Sequence, residues 1–153
     1  ANLKAKGIKA MGEHENFYLI GEDLGKRKLV DVLEADNSWC SNEQTVIIAE
    51  GLLMYLPSDA VRDLFNQCAV VSGPGSRIAF TYVATCDDGR PDAGRWTGLT
   101  MWILKVTGEP WMWSIRPEEL REFLKETGWR NARELIGGSD RYGVEYFSVG
   151  TKE

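Results

Sequence analysis

The sequence predicts an α/β fold whose sheet is mostly parallel and ends in an antiparallel hairpin. Three observations carry this expectation. Residues 45–49 and 77–83 are rich in β-branched side chains and flank a long stretch of helical periodicity, the alternation from which parallel sheets are built. Residues 45–49 are apolar after Thr45, the pattern of a strand covered on both faces. Residues 129–136 and 144–151 also read as strands, and the link between them, 137–143, is too short for a parallel crossover, so they should pair antiparallel.

The remaining elements follow in order. Residues 3–12 place Leu3, Ile8 and Met11 among lysines, a helical signal interrupted by Gly7. Residues 17–21 form a β-rich run that exits through Glu22, Asp23, Leu24 and Gly25, so a strand ending in a loop is expected. Residues 26–35 carry Leu29, Val30, Val32 and Leu33 at near-helical spacing. After Pro57, Ser58 is the expected N-cap of the clearest helix, in which Ala60, Val61, Leu64, Phe65, Cys68, Ala69 and Val71 recur at intervals of three and four. It stops at Ser72-Gly73-Pro74-Gly75. A polar loop over 85–95 leads into a helix over 95–107 containing Trp96, Leu99, Met101, Trp102, Ile103 and Leu104. The run Arg116-Pro117-Glu118-Glu119-Leu120 opens a further helix, with proline in the first turn and acids near the positive end of the dipole, and Gly128 closes it. There is no internal repeat.

A chain of 153 residues suits a single domain. With 43% hydrophobic and 27% charged residues and no run of about 18 apolar positions, neither a membrane-spanning nor a disordered chain is expected. Eighteen basic against 23 acidic residues, a net charge of -5, argue against a function built on phosphate attraction, so neither nucleic acid nor membrane is expected as a partner. The three cysteines, Cys40, Cys68 and Cys86, are odd in number and widely spaced, which suggests neither a disulfide framework nor a zinc site and fits a reducing, cytoplasmic setting. The sequence opens on Ala1 rather than methionine, from which we expect a trimmed chain or part of a longer one.

Ligands of open α/β sheets bind beyond the carboxyl ends of the strands. Two acids are expected there: Asp23 after the run 17–21, and Glu50 directly after 45–49 and before Gly51, a residue that lets a ligand come close. A carboxylate at the end of an interior strand is partly desolvated and needs a cation or donors, a requirement that an ammonium group meets. His14, the single histidine, lies in a polar stretch and has no partner for a metal site or relay. Ser58 lacks a nucleophile context, and the glycines at 73, 75, 137 and 138 match no phosphate-binding motif. Trp96, Trp102, Trp111 and Trp113 cluster after strand 77–83, where they are either core or an apolar lid over a substrate pocket.

The run Ile47-Ile48-Ala49-Glu50-Gly51-Leu52-Leu53-Met54-Tyr55-Leu56-Pro57 resembles the signature of S-adenosylmethionine-dependent O-methyltransferases of the leucine carboxyl methyltransferase type. Tyr18-Leu19-Ile20-Gly21-Glu22-Asp23-Leu24 resembles that family's third strand and its exit. Gly73-Pro74-Gly75-Ser76-Arg77-Ile78 resembles the turn before the fifth, and the segment from Ile115 to Gly128-Trp129 its late helix and sixth strand. The similarity runs from about residue 16 to the end.

The resemblance implies the C-terminal part of a class I, Rossmann-like methyltransferase sheet and the cofactor S-adenosylmethionine. By matching position, Asp23 and Leu24 receive the adenine, and Glu50 with Gly51 lies near the methionyl group. Tyr55, Trp96 and Trp113 face the acceptor, a small molecule or carboxylate. Transfer to a carboxylate or hydroxyl oxygen proceeds in line, chiefly through positioning, and no dedicated catalytic acid or base and no metal is implied. The first two strands and the glycine-rich turn of the family are not in this sequence, so the domain is expected to be incomplete at its N-terminus and not to bind the cofactor normally by itself. A non-catalytic relic that keeps the scaffold, self-associating or pairing its open strand with another chain, is the competing expectation. A nicotinamide-dependent oxidoreductase ranks last, because the glycine fingerprint is missing.

Overall fold

The computed structural model describes residues 17–24, 26–35, 39–94, 97–138 and 144–153, with the backbone alone over 131–138. The helix expected over 3–12, together with His14 and Trp96, lies outside the described residues.

Four strands form one sheet in the order β1-β2-β4-β3, where β1 is Val46–Ala49, β2 Arg77–Val83, β3 Arg130–Gly138 and β4 Glu145–Thr151. β1 and β2 run parallel, in the register Ile47 to Ile78 and Ala49 to Phe80. The last two strands pair antiparallel as the short link requires, and β4 also lies antiparallel against β2, so the sheet is mixed. Its parallel share is smaller than the sequence suggests because residues 17–21 join no strand. Their side chains are exposed, and no described strand offers them a ladder. β-propensity without inter-strand hydrogen bonds does not make a strand.

One face of the sheet carries the core. Ile78, Phe80 and Tyr82 of β2 alternate inward with Ile47 and Ala49 of β1 and Tyr146 of β4, and Tyr146 stacks on Tyr82 at 5.6 Å. Helices pack over this face. Helix α1, Leu29–Glu34, leans on α2, Ser58–Val70, through the Val30 N–H, which donates to Gln67 Oε1 at 3.3 Å. α2 inserts Val61, Phe65 and Cys68, the periodic residues of its sequence. Ser58 begins that helix without capping it: the N-cap position is Pro57, and no side-chain cap bond forms. Helix α3, Thr97–Thr107, buries none of its residues. α4, Leu120–Glu126, adds Leu120, Phe123 and Leu124 to the core, and Gly128 at φ +86° ends it. At the far end of α2, the Lys152 ammonium donates to the carbonyls of Ala69 and Ser72, a cation on the negative end of the helix dipole.

The other face of the sheet is open at β1. Val46 is 67% and Ile48 72% exposed, so β1 is not covered on both faces as its composition predicts. β1 is an end strand, and among the described residues no element packs over these two side chains.

Burial pushes the Cys68 thiol up to about 12, against 9.0 for a free thiol. The folded state holds this proton more tightly than the unfolded state, so the contribution to stability is complete below pH 9.0 and is lost as the pH rises toward 12. A thiol reagent at neutral pH should modify the exposed Cys40 quickly and Cys68 only as the domain unfolds. Rapid native modification of Cys68 would contradict its place on the buried face of α2.

Candidate functional site

The carboxyl ends of β1 and β2 meet at one rim, and the chain turns sharply there. After Ala49 the backbone passes through Glu50 to Gly51, whose φ of +59° is costly for any residue with a Cβ. The Gly51 N–H donates to Thr81 Oγ1 at 2.8 Å, which ties the exit of β1 to β2. A Cβ on Gly51 would meet no atom within 4 Å, so the outer side of this turn is open to approach. The turn then enters a 3-10 helix, Leu53–Tyr55, whose Leu53 and Met54 are buried and whose Tyr55 is not.

Two hollows flank this turn. On the open face of the sheet, a hollow of about 270 Å³ is lined by Ile48, Glu50, Ala79, Phe80, Thr81, Glu145 and Phe147. Two carboxylates far apart in the sequence thus share an apolar floor, because antiparallel pairing sets Glu145 opposite Val83 at the end of β2. Such a pair suits a cationic group. Beyond the 3-10 helix, a second and shallower hollow of about 420 Å³ is lined by Tyr55, Gly108, Glu109, Pro110 and Met112. The N–H groups of Met112 and Trp113 both donate to the Met54 carbonyl, at 2.7 and 3.3 Å, and clamp the segment after α3 against the turn.

The expected site residues divide accordingly. Glu50 and Gly51 do sit at the carboxyl end of β1, but Glu50 is exposed rather than partly desolvated, because its strand borders the uncovered face. Asp23 and Leu24 are exposed and line neither hollow. The Asp23 carbonyl accepts from the N–H groups of Lys26 and Arg27, and its carboxylate pairs with Lys26 at 3.2 Å. Tyr55 lines the second hollow. Trp113, expected to face the acceptor, is 4% exposed and lies in the core with its ring 5.8 Å from Phe123. Trp102, by contrast, is 62% exposed on α3. The tryptophan-rich stretch is therefore neither all core nor all lid.

Thr81, Glu145 and Phe147 line the first hollow without any signal in the sequence, since only strand pairing brings them to Glu50. Glu109 and Met112 flank Trp111 and could have been found only by treating that stretch as a rim. In the loop after β2, the half-buried setting of Cys86 and the charges of Asp92 and Asp88 push its thiol up, which disfavours the thiolate needed of a nucleophile. Asp88 itself is held low by its hydrogen bonds with Arg90. Among the described residues, no three His, Cys, Asp or Glu side chains are grouped to hold a metal ion, and no helix is long and apolar enough to cross a membrane.

Comparison with known proteins gives consistent results. The family model for leucine carboxyl methyltransferase matches residues 1–69, through Glu50, Gly51 and Tyr55 and into α2. A protein of Frankia alni named as an S-adenosyl-L-methionine-dependent methyltransferase is 37% identical over 73 residues, 46% of this chain and 26% of that protein. This chain therefore spans much less than the length of the curated relative it matches. Among solved structures, an O-methyltransferase family protein from Burkholderia thailandensis superposes with a TM-score of 0.62 at 12% identity, over 99% of this chain and 40% of that one. The magnesium protoporphyrin IX methyltransferase of Synechocystis, solved with bound SAH, gives 0.58 at 12% identity, over 98% and 57%. At these identities the likeness is one of fold, and it extends beyond residue 69 to the β2–β4 part of the sheet that the family model leaves unmatched.

Proposed function

We infer that this chain, which matches the leucine carboxyl methyltransferase family over residues 1–69 and has the fold of the class I methyltransferases, is part of an S-adenosylmethionine-dependent methyltransferase acting on an oxygen. The observation that carries this reading is the rim itself. Glu50 opens onto one hollow and, within one short turn, Tyr55 opens onto another, so that two ligands can be held on either side of a fixed backbone.

The residues fit the methionyl end of the cofactor. Glu50 and Glu145 offer carboxylates to an ammonium group, and the open outer side of Gly51 admits close approach. Asp23 and Leu24 are assigned to the adenine by their place in the family's motif. When bound there, the cofactor would supply a sulfonium methyl for an acceptor oxygen, with a neutral thioether as the leaving group. The protein's part is alignment, for which the clamped turn between the hollows is suited. We further propose that residues preceding this chain supply the glycine turn and central strands. The open edge and face of β1, and the share of the curated relative that is matched, support this.

Titration calorimetry with S-adenosylhomocysteine tests the reading. A chain extended at its N-terminus to the length of the relatives should bind, this chain alone should bind much more weakly, and Asp23→Ala and Glu50→Gln in the longer form should each cost about 1–3 kcal/mol. Absence of binding by both forms would favour a non-catalytic scaffold. Unchanged affinity in both variants would remove these residues from the site.

A further inference from the structure

We propose that Thr81 is the positioning residue of this site: its hydroxyl sets the backbone of the acid-glycine exit, hence the direction in which Glu50 enters the hollow and the affinity for the ammonium end of the cofactor. This rests on the methyltransferase reading for the identity of the ligand, whereas the constraint itself lies in the hydrogen bond.

The parallel ladder between β1 and β2 ends at the pair Ala49 and Phe80, and beyond it Glu50 and Gly51 leave the sheet. The next residue of β2, Thr81, holds the departing chain with its side chain, its Oγ1 accepting the Gly51 N–H at 2.8 Å. That acceptor is firmly placed. β2 lies between β1 and β4, Thr81 is in register with Phe147 across the antiparallel ladder, and it is 4% exposed. A β-branched side chain has few rotamers, so at a buried position the sheet itself fixes Oγ1.

Fixing the Gly51 N–H fixes more than one atom. The peptide that links Glu50 to Gly51 is planar, so the direction of its N–H also sets that of the Glu50 carbonyl. On its other side Glu50 follows Ala49, the last residue of the ladder, so both of its backbone links are anchored. The Glu50 side chain is exposed and gains little restraint from packing, and the backbone that carries it therefore decides where its carboxylate points. Gly51, at φ +59°, has the widest conformational freedom of any residue type, and the Thr81 bond selects one of its conformations before the ligand arrives. Ordering completed in advance does not have to be supplied by the binding energy, which is how a preorganised site gains affinity.

Two substitutions separate the hydroxyl from the packing. Thr81→Val keeps the shape and removes the acceptor, whereas Thr81→Ser keeps the hydroxyl and removes a methyl group. In the form extended at its N-terminus, calorimetry with S-adenosylhomocysteine should find Thr81→Val weakened about tenfold and Thr81→Ser within roughly threefold of the parent. Amide exchange at Gly51 should quicken in Thr81→Val alone. A packing role predicts the opposite order, with Thr81→Ser the more damaged. That order, equal losses in the two variants, or unchanged affinity in Thr81→Val would overturn the assignment. Thr81→Ala set against Thr81→Ser isolates the same hydroxyl and decides the matter if Thr81→Val does not fold. Failure of the parent to bind removes the methyltransferase reading and this inference together, whereas binding by the parent with Thr81→Val unaffected removes this one alone.

Discussion

Phe65→Ala should cost about 3–5 kcal/mol of folding stability. Phe65 is fully buried where α2, β2 and α4 converge. Its ring meets Phe80 edge-on at 5.0 Å and Phe123 at 5.1 Å, and its own carbonyl accepts the Trp129 indole N–H at 3.0 Å. Deleting the ring removes two aromatic contacts and leaves a void whose walls belong to three separate elements, so no single movement can close it. Urea denaturation followed by tryptophan fluorescence measures the loss. Leu99→Ala, on the exposed α3, is the control and should change stability by no more than about 0.5 kcal/mol. A Phe65→Ala protein within about 1 kcal/mol of the parent would mean that the helices do not pack on the sheet in this way.

Gly73→Ala should cost about 2 kcal/mol or more. An added Cβ would lie 2.1 Å from the Asn42 carbonyl oxygen, 2.5 Å from its carbon and 2.8 Å from the Glu43 oxygen, all of them backbone atoms that no rotamer change can move aside. The same approach lets the Gly73 N–H donate to Glu43 O at 2.9 Å, while the Ser76 hydroxyl bridges the Gly73 carbonyl and the Thr45 N–H. Forcing the two segments apart therefore loosens the entry to β1, the strand that delivers Glu50 to the rim. Faster amide exchange along Val46–Ala49, together with a lowered urea midpoint, is the expected signature. Native exchange rates in β1 would show that the two backbones are not in contact.

These two positions differ in how far the sequence reveals them. Phe65 is legible, because its spacing with Val61 and Cys68 marks the buried stripe of a helix, and that stripe is what the sheet receives. Gly73 is legible only as a turn. Its conformation makes no special demand; the glycine is required by a neighbour 31 positions earlier, which local pattern does not show. The site divides in the same way. Glu50, Gly51 and Tyr55 stand in one continuous run and their place after a strand can be read directly. Glu145, Thr81 and Glu109 reach the hollows only through strand pairing and through the hydrogen bonds to Met54.

Two misreadings have a common cause. Residues 17–21 have the composition of a strand but no described neighbour to bond with, and 45–49 have the composition of an interior strand but lie at an end of the described sheet. Composition records the environment that a segment suits, and the environment is set by other elements. The sequence by itself determined the described helices, the parallel step from β1 to β2, the terminal hairpin and the acid-glycine exit of β1, all consequences of local periodicity, turn chemistry and connection length. Tertiary structure alone decided which face of the sheet is covered, that Trp113 is core while Trp102 is exposed, and that carboxylates 95 positions apart share one hollow, because strand order and backbone contact between distant segments have no local signature.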